Sequence, residues 1–95
     1  MMSTNEDREL KQKIYWRLRR GLLELDFILS RFWQQCNSTL NNSQIKAFDS
    51  LLDCQDPDLL DWLLYRADNP KSIPLQEIVM MIRNFFDNES NFSEN

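Results

Sequence analysis

The chain has 95 residues, room for one domain and one core but not for a deep catalytic cavity with its own walls. One glycine and three prolines are too few turn formers for a β fold, and no apolar run approaches the ~20 residues of a membrane-spanning helix. A formal charge of −4 disfavours non-specific nucleic-acid binding, while the lack of histidine removes Ser–His and Cys–His nucleophiles and, with two cysteines, leaves no four-ligand zinc site.

The pattern predicts an all-α protein, a compact bundle of about five helices. Residues 1–86 form one helical domain, and 87–95 are expected to be a disordered polar tail. Helix 1 starts near Ser3 or Thr4, where Ser3 with Glu6 and Thr4 with Asp7 both resemble capping boxes. Leu10, Ile14 and Leu18 recur every four residues and mark its buried face, and it is expected to end at Arg20–Gly21. Helix 2 runs from about Leu22 to Trp33, with Leu22, Leu25, Leu29 and Phe32 on one side. The polar run from Asn37 to Asn42 reads as a loop, because its side chains compete for backbone hydrogen bonds.

Helix 3 is expected to be capped by Asn42 or Ser43 and to bury Ile45, Phe48, Leu51 and Leu52. Helix 4 has the clearest start: Asp56 as N-cap, Pro57 at the first helical position and Asp58 against the helix dipole. It continues to about Arg66 and is apolar on most sides, which predicts the central helix. Helix 5 begins near Pro74 with the stripe Leu75, Ile78, Val79, Ile82 and Phe85, and Met80 and Met81 read as core fillers.

Charge is unevenly placed. Six of the 11 basic residues fall in the first 20 positions, while Asp49, Asp53, Asp56, Asp58 and Asp61 crowd a stretch without a base. A basic end and an acidic face are expected. Glu6, Asp7 and Glu9 dilute the field of helix 1, so a solvated face is preferred to a nucleic-acid footprint. The paired carboxylates Asp56 and Asp58 read as helix-start residues rather than acid/base partners. One glycine rules out a glycine-rich phosphate loop.

That glycine, Gly21, sits in Arg20-Gly21-Leu22-Leu23-Glu24, where one helical period stops and the next begins. Two readings are open. Composition alone favours a C-cap glycine with an Arg20–Glu24 ion pair at i, i+4, worth about 0.3–0.5 kcal/mol at a surface. Alternatively, Arg20 offers its planar fork to a partner's carboxylate or carbonyls, with Glu24 orienting it or bonding the partner itself and Gly21 letting another backbone come close.

The run Arg20-Gly21-Leu22-Leu23-Glu24-Leu25-Asp26, followed by the block Asp56-Pro57-Asp58-Leu59-Leu60-Asp61-Trp62-Leu63, resembles the succinate dehydrogenase assembly factors, small flavinylation factors of bacteria and mitochondria. The resemblance spans roughly residues 8–85. Methionine commonly follows the glycine in that family, and Leu22 keeps an apolar residue there.

The resemblance implies a five-helix fold without enzymatic activity of its own. It implies a role in covalent attachment of FAD to a histidine of the succinate dehydrogenase flavoprotein subunit, with the fumarate reductase flavoprotein as a second candidate client. It maps the family's partner-facing RGxxE signature onto Arg20, Gly21 and Glu24, and Trp16, Arg17, Asp56 and Asp58 are expected to widen the interface. No cofactor is expected to be held stably by the chain itself, FAD being attached on the partner. A bacterial cytoplasmic monomer, without nucleic-acid binding or membrane insertion, completes the expectation. A helical adaptor or antitoxin-type regulator with an unrelated partner is the alternative, and an RNA-associated protein using helix 1 is a third reading.

Overall fold

The computed structural model describes residues 4–93, with side chains described over 8–89. Five helices follow in order: α1 (Thr4–Arg17), α2 (Leu23–Cys36), α3 (Asn42–Leu51), α4 (Asp56–Leu59, continued by a π turn over Leu60–Leu64) and α5 (Ile73–Ser93). The all-α expectation holds over the described residues. The Ser3 cap, the side chains of Glu6 and Asp7, and Glu94 and Asn95 lie outside them.

α3 packs on α5 and α1 on α3, while α2 and α5 both lie against the π turn. The helices enclose one core in a globule with a radius of gyration of 13.3 Å, the value a folded chain of this length should have. Ile14 and Leu18 reach it from the first segment, and Leu59 and Leu63 from the fourth. α2 buries more than the expected stripe, adding Ile28 and Trp33 to Leu25, Leu29 and Phe32. α2 is therefore the central helix in place of α4, whose Leu64 is exposed. Trp33 stacks on Phe48 at 5.2 Å and Phe85 meets Phe32 edge-on at 5.7 Å, locking α2 between α3 and α5. Met81 is half-buried as expected, but Met80 faces solvent.

Helix ends depart from expectation where a side chain finds a better partner than its own helix. α3 is capped by Asn41, not Asn42 or Ser43, because Gln44 three residues on closes a reciprocal capping box with 2.8 Å bonds in both directions. α4 is preceded by Gln55 as N-cap, and Asp56 enters the helix with its carboxylate turned to an arginine. The π turn ends with Tyr65 N–H donating to Leu60 O at 2.9 Å and Ala67 N–H to Asp61 O at 2.8 Å. Arg66 takes the positive-φ position (55°) that glycine usually fills.

Arg66 donates to both carboxylate oxygens of Asp87, and Arg83 donates to Trp62 O and Asp68 O at 2.8 Å, so α5 is stapled to that strained end. Residues 87–93, expected to lie in a polar tail, continue α5. Asp87 is held by Arg66 and Glu89 by a bidentate bond from Arg31, so charges that read as solvating are paired across helices.

Candidate functional site

The basic end and the acidic face meet each other. Arg17 donates to Asp49 Oδ1 at 2.6 Å and pairs with Asp53, and Lys13 lies 3.8 Å from Asp49. These links bind the last turns of α1 to the end of α3, whose terminal carbonyls favour a nearby cation. Arg17, expected to widen an interface, is engaged within the chain.

Arg20 is tied in more tightly. Its Nε donates to Asp56 Oδ1 at 2.6 Å, one terminal nitrogen to Leu52 O at 2.8 Å and the other to Cys54 O at 2.7 Å. Its side chain is only 17% exposed. Its backbone N–H donates to Asp26 Oδ1 at 2.6 Å, tying the corner to the first turn of α2. The expected Arg20–Glu24 ion pair is not formed, because the Asp56 carboxylate and two carbonyls of the α3–α4 connection together take all three guanidinium nitrogens. Nor is Gly21 a C-cap: α1 ends at Arg17, and residues 18–22 cross to α2 in a non-helical corner. The chain must leave the helix early for Leu18 to enter the core and Arg20 to reach α3.

Gly21 does adopt the positive φ expected of it, 91°, and a Cβ placed there meets no heavy atom within 4 Å. Glu24, in the first turn of α2, is exposed and has no hydrogen-bond or ion-pair partner among the described residues. The signature therefore splits into an inward arginine and an outward glycine and glutamate. Asp56 goes inward with Arg20, while Asp58 stays exposed at the start of α4.

Around the outward pair lies apolar surface. Leu23 is 85% exposed and Phe27, one turn on, 60%. Glu24 and Phe27 border a shallow groove of about 290 Å³ with Ile28, Leu63, Leu64, Arg66 and Phe86. Trp16 is 73% exposed and meets Tyr15 edge-on at 5.6 Å, beside Arg19 and Ser30 of α2. Sequence reasoning missed Leu23, Phe27 and Phe86. The available signal was that Leu23 and Phe27 lie off the buried stripe of α2, and large apolar residues on a solvent face mark binding surface.

No group of three His, Cys, Asp or Glu side chains among the described residues is arranged to hold a metal. Both cysteines are free, and each thiol titrates above its ordinary range. For Cys54 burial is the main cause, reinforced by Asp58 and Asp53 and opposed by Arg20; for Cys36 it is burial, then Glu89. Such thiols stay protonated at neutral pH and are poor nucleophiles. The surface is equipped for contact: an open backbone, one free carboxylate and a rim of apolar side chains. Among the described residues no helix is long and apolar enough to cross a membrane.

Known proteins similar to this chain share one description. Residues 12–86 match the family described as flavinator of succinate dehydrogenase. The FAD assembly factor SdhE of Legionella pneumophila (strain Lens) is 42% identical over 78 residues, 82% of this chain and 96% of that protein. The FAD assembly factor SdhE of Coxiella burnetii is 40% identical over 72 residues (76% and 87%), and that of Pectobacterium atrosepticum 38% over 73 residues (77% and 82%).

Proposed function

The chain belongs to the family of succinate dehydrogenase flavinators, and from that membership we propose that it is an assembly factor promoting covalent attachment of FAD to the succinate dehydrogenase flavoprotein subunit. It acts by binding the immature subunit. FAD carries the reactivity, and the partner supplies the acceptor histidine that this chain lacks. What the chain contributes is alignment. By holding the flavoprotein so that the flavin methyl faces the acceptor histidine, it converts a rare encounter into an oriented one, an effect that can amount to several kcal/mol of barrier. The chain itself is not an enzyme, works as a monomer in the bacterial cytoplasm and keeps no FAD stably. The fumarate reductase flavoprotein is a second client.

The observation that carries this reading is the outward half of the signature: Gly21 with open space in front of it, and Glu24 unpaired beside the exposed Leu23 and Phe27. An approaching backbone can come close at Gly21, where no side chain intervenes. Glu24 can accept hydrogen bonds there, and the apolar rim excludes water around them. Trp16 and Asp58, both exposed, complete the proposed interface.

In-gel flavin fluorescence of denatured succinate dehydrogenase flavoprotein tests it, in cells lacking this gene and complemented with the wild type or Glu24→Gln. Fluorescence restored by the wild type alone supports flavinylation through this face. Equal fluorescence in all three strains refutes the role and leaves an adaptor with a different partner.

A further inference from the structure

We propose that Arg20 is a positioning residue for maturation: it does not touch the flavoprotein, and it acts by holding the Gly21–Glu24 corner fixed against the start of α4. This rests on the docking reading above. Residues 18–22 carry no helix of their own, so their setting depends on what anchors them. Leu18 fixes the start of the segment in the core, and Arg20 fixes the part next to Gly21 with four hydrogen bonds of 2.6–2.8 Å: its backbone N–H to Asp26, and its three side-chain nitrogens to Asp56, Leu52 O and Cys54 O.

A planar fork with three acceptors from three different residues is fixed in tilt as well as position, which a lysine ammonium cannot reproduce. Two of those acceptors are carbonyls just past α3, Leu52 at its C-cap, where partial negative charge favours a cation, and Cys54 in the connection to α4. Through them the corner, the end of α3 and the start of α4 become one body. Glu24 and Asp58, the exposed carboxylates on either side of the clamp, are then held at a set separation. A partner carboxylate aimed at the fork would have to compete with Asp56, already bonded at 2.6 Å.

The test compares binding of the immature flavoprotein by Arg20→Ala, Arg20→Lys, Asp56→Asn, the Arg20→Ala/Asp56→Asn double variant and Glu24→Gln. It is run well below each melting transition, with circular dichroism confirming the fold. Asp56→Asn keeps both carbonyl bonds and serves if Arg20→Ala fails to fold. Positioning predicts that Arg20→Ala and Asp56→Asn each weaken binding by about tenfold, that the double variant is no weaker than Arg20→Ala, and that Arg20→Lys does not restore affinity. It also predicts that the half-saturating factor concentration for flavinylation rises while the rate at saturation stays near the parent's.

If Asp56→Asn binds as tightly as the parent or more tightly while Arg20→Ala binds weakly, Arg20 acts through something other than its Asp56 ion pair and the proposal falls. Parent-like affinity in folded Arg20→Ala overturns it as well. Parent-like affinity in Glu24→Gln has a different meaning: the docking face itself was wrongly placed.

Discussion

Replacing Gly21 separates backbone strain from surface access. Its φ of 91° lies in the left-handed region, and a Cβ added there meets nothing within 4 Å. Gly21→Ala therefore carries conformational strain and no clash, a cost of about 1–2 kcal/mol. For a domain of this size each kcal/mol lowers the melting temperature by about 4–8 °C, so a drop of about 4–16 °C is expected by circular dichroism. Gly21→Asn tolerates the left-handed region better and should lose about half as much.

Both variants place atoms where a partner backbone is expected to approach. Flavinylation of purified immature flavoprotein, measured where each variant is fully folded, should therefore fall by about tenfold or more even for the milder Gly21→Asn. An alanine variant melting within about 2 °C of the parent would refute the strain argument. An asparagine variant flavinylating at the parent rate would refute the close approach at this corner.

Two further outcomes follow from the core and from the α5 staples. Leu29 is fully buried at the centre of α2, and Leu29→Ala should destabilise by about 3 kcal/mol, read as a lower urea midpoint with an unchanged slope. The Arg66 hydrogen bonds hold the Asp87 carboxyl below its usual range. A carboxylate with a lowered folded-state pKa stabilises the fold above its unfolded value, near pH 3.9, and loses that contribution as pH falls through the lowered one. Asp87→Asn should therefore melt below the parent at neutral pH, and the gap should close on acidification below about pH 4. A gap of constant size down to pH 2 would show that the pair's charge plays no part.

Much of the fold was readable from spacing. The stripes Ile14–Leu18, Leu25–Leu29–Phe32 and Ile78–Val79–Ile82 all face the core, and the single glycine takes the positive φ its placement suggested. The site was readable only in part. Arg20 and Glu24 stand four apart, a spacing that implies an ion pair if the helix is continuous. The helix is broken at Leu18, so the spacing lost its meaning. Asp56 looked like an N-cap because it precedes proline, and yet its carboxylate goes to a guanidinium 36 positions earlier. The segment from Asp87 looked like a solvated tail because its neutralising arginines, Arg31 and Arg66, are 58 and 21 residues away.

Composition and helical period determined an all-α domain, and the absence of histidine one without a Ser–His or Cys–His nucleophile of its own, since these follow from residue type and local spacing. Which charges remain free was decided by tertiary structure alone. A guanidinium bonds whichever acceptors the packed backbone brings within 3 Å, and for Arg20 those lie in the α3–α4 connection, which turns the arginine of the signature inward and leaves Gly21 and Glu24 facing out.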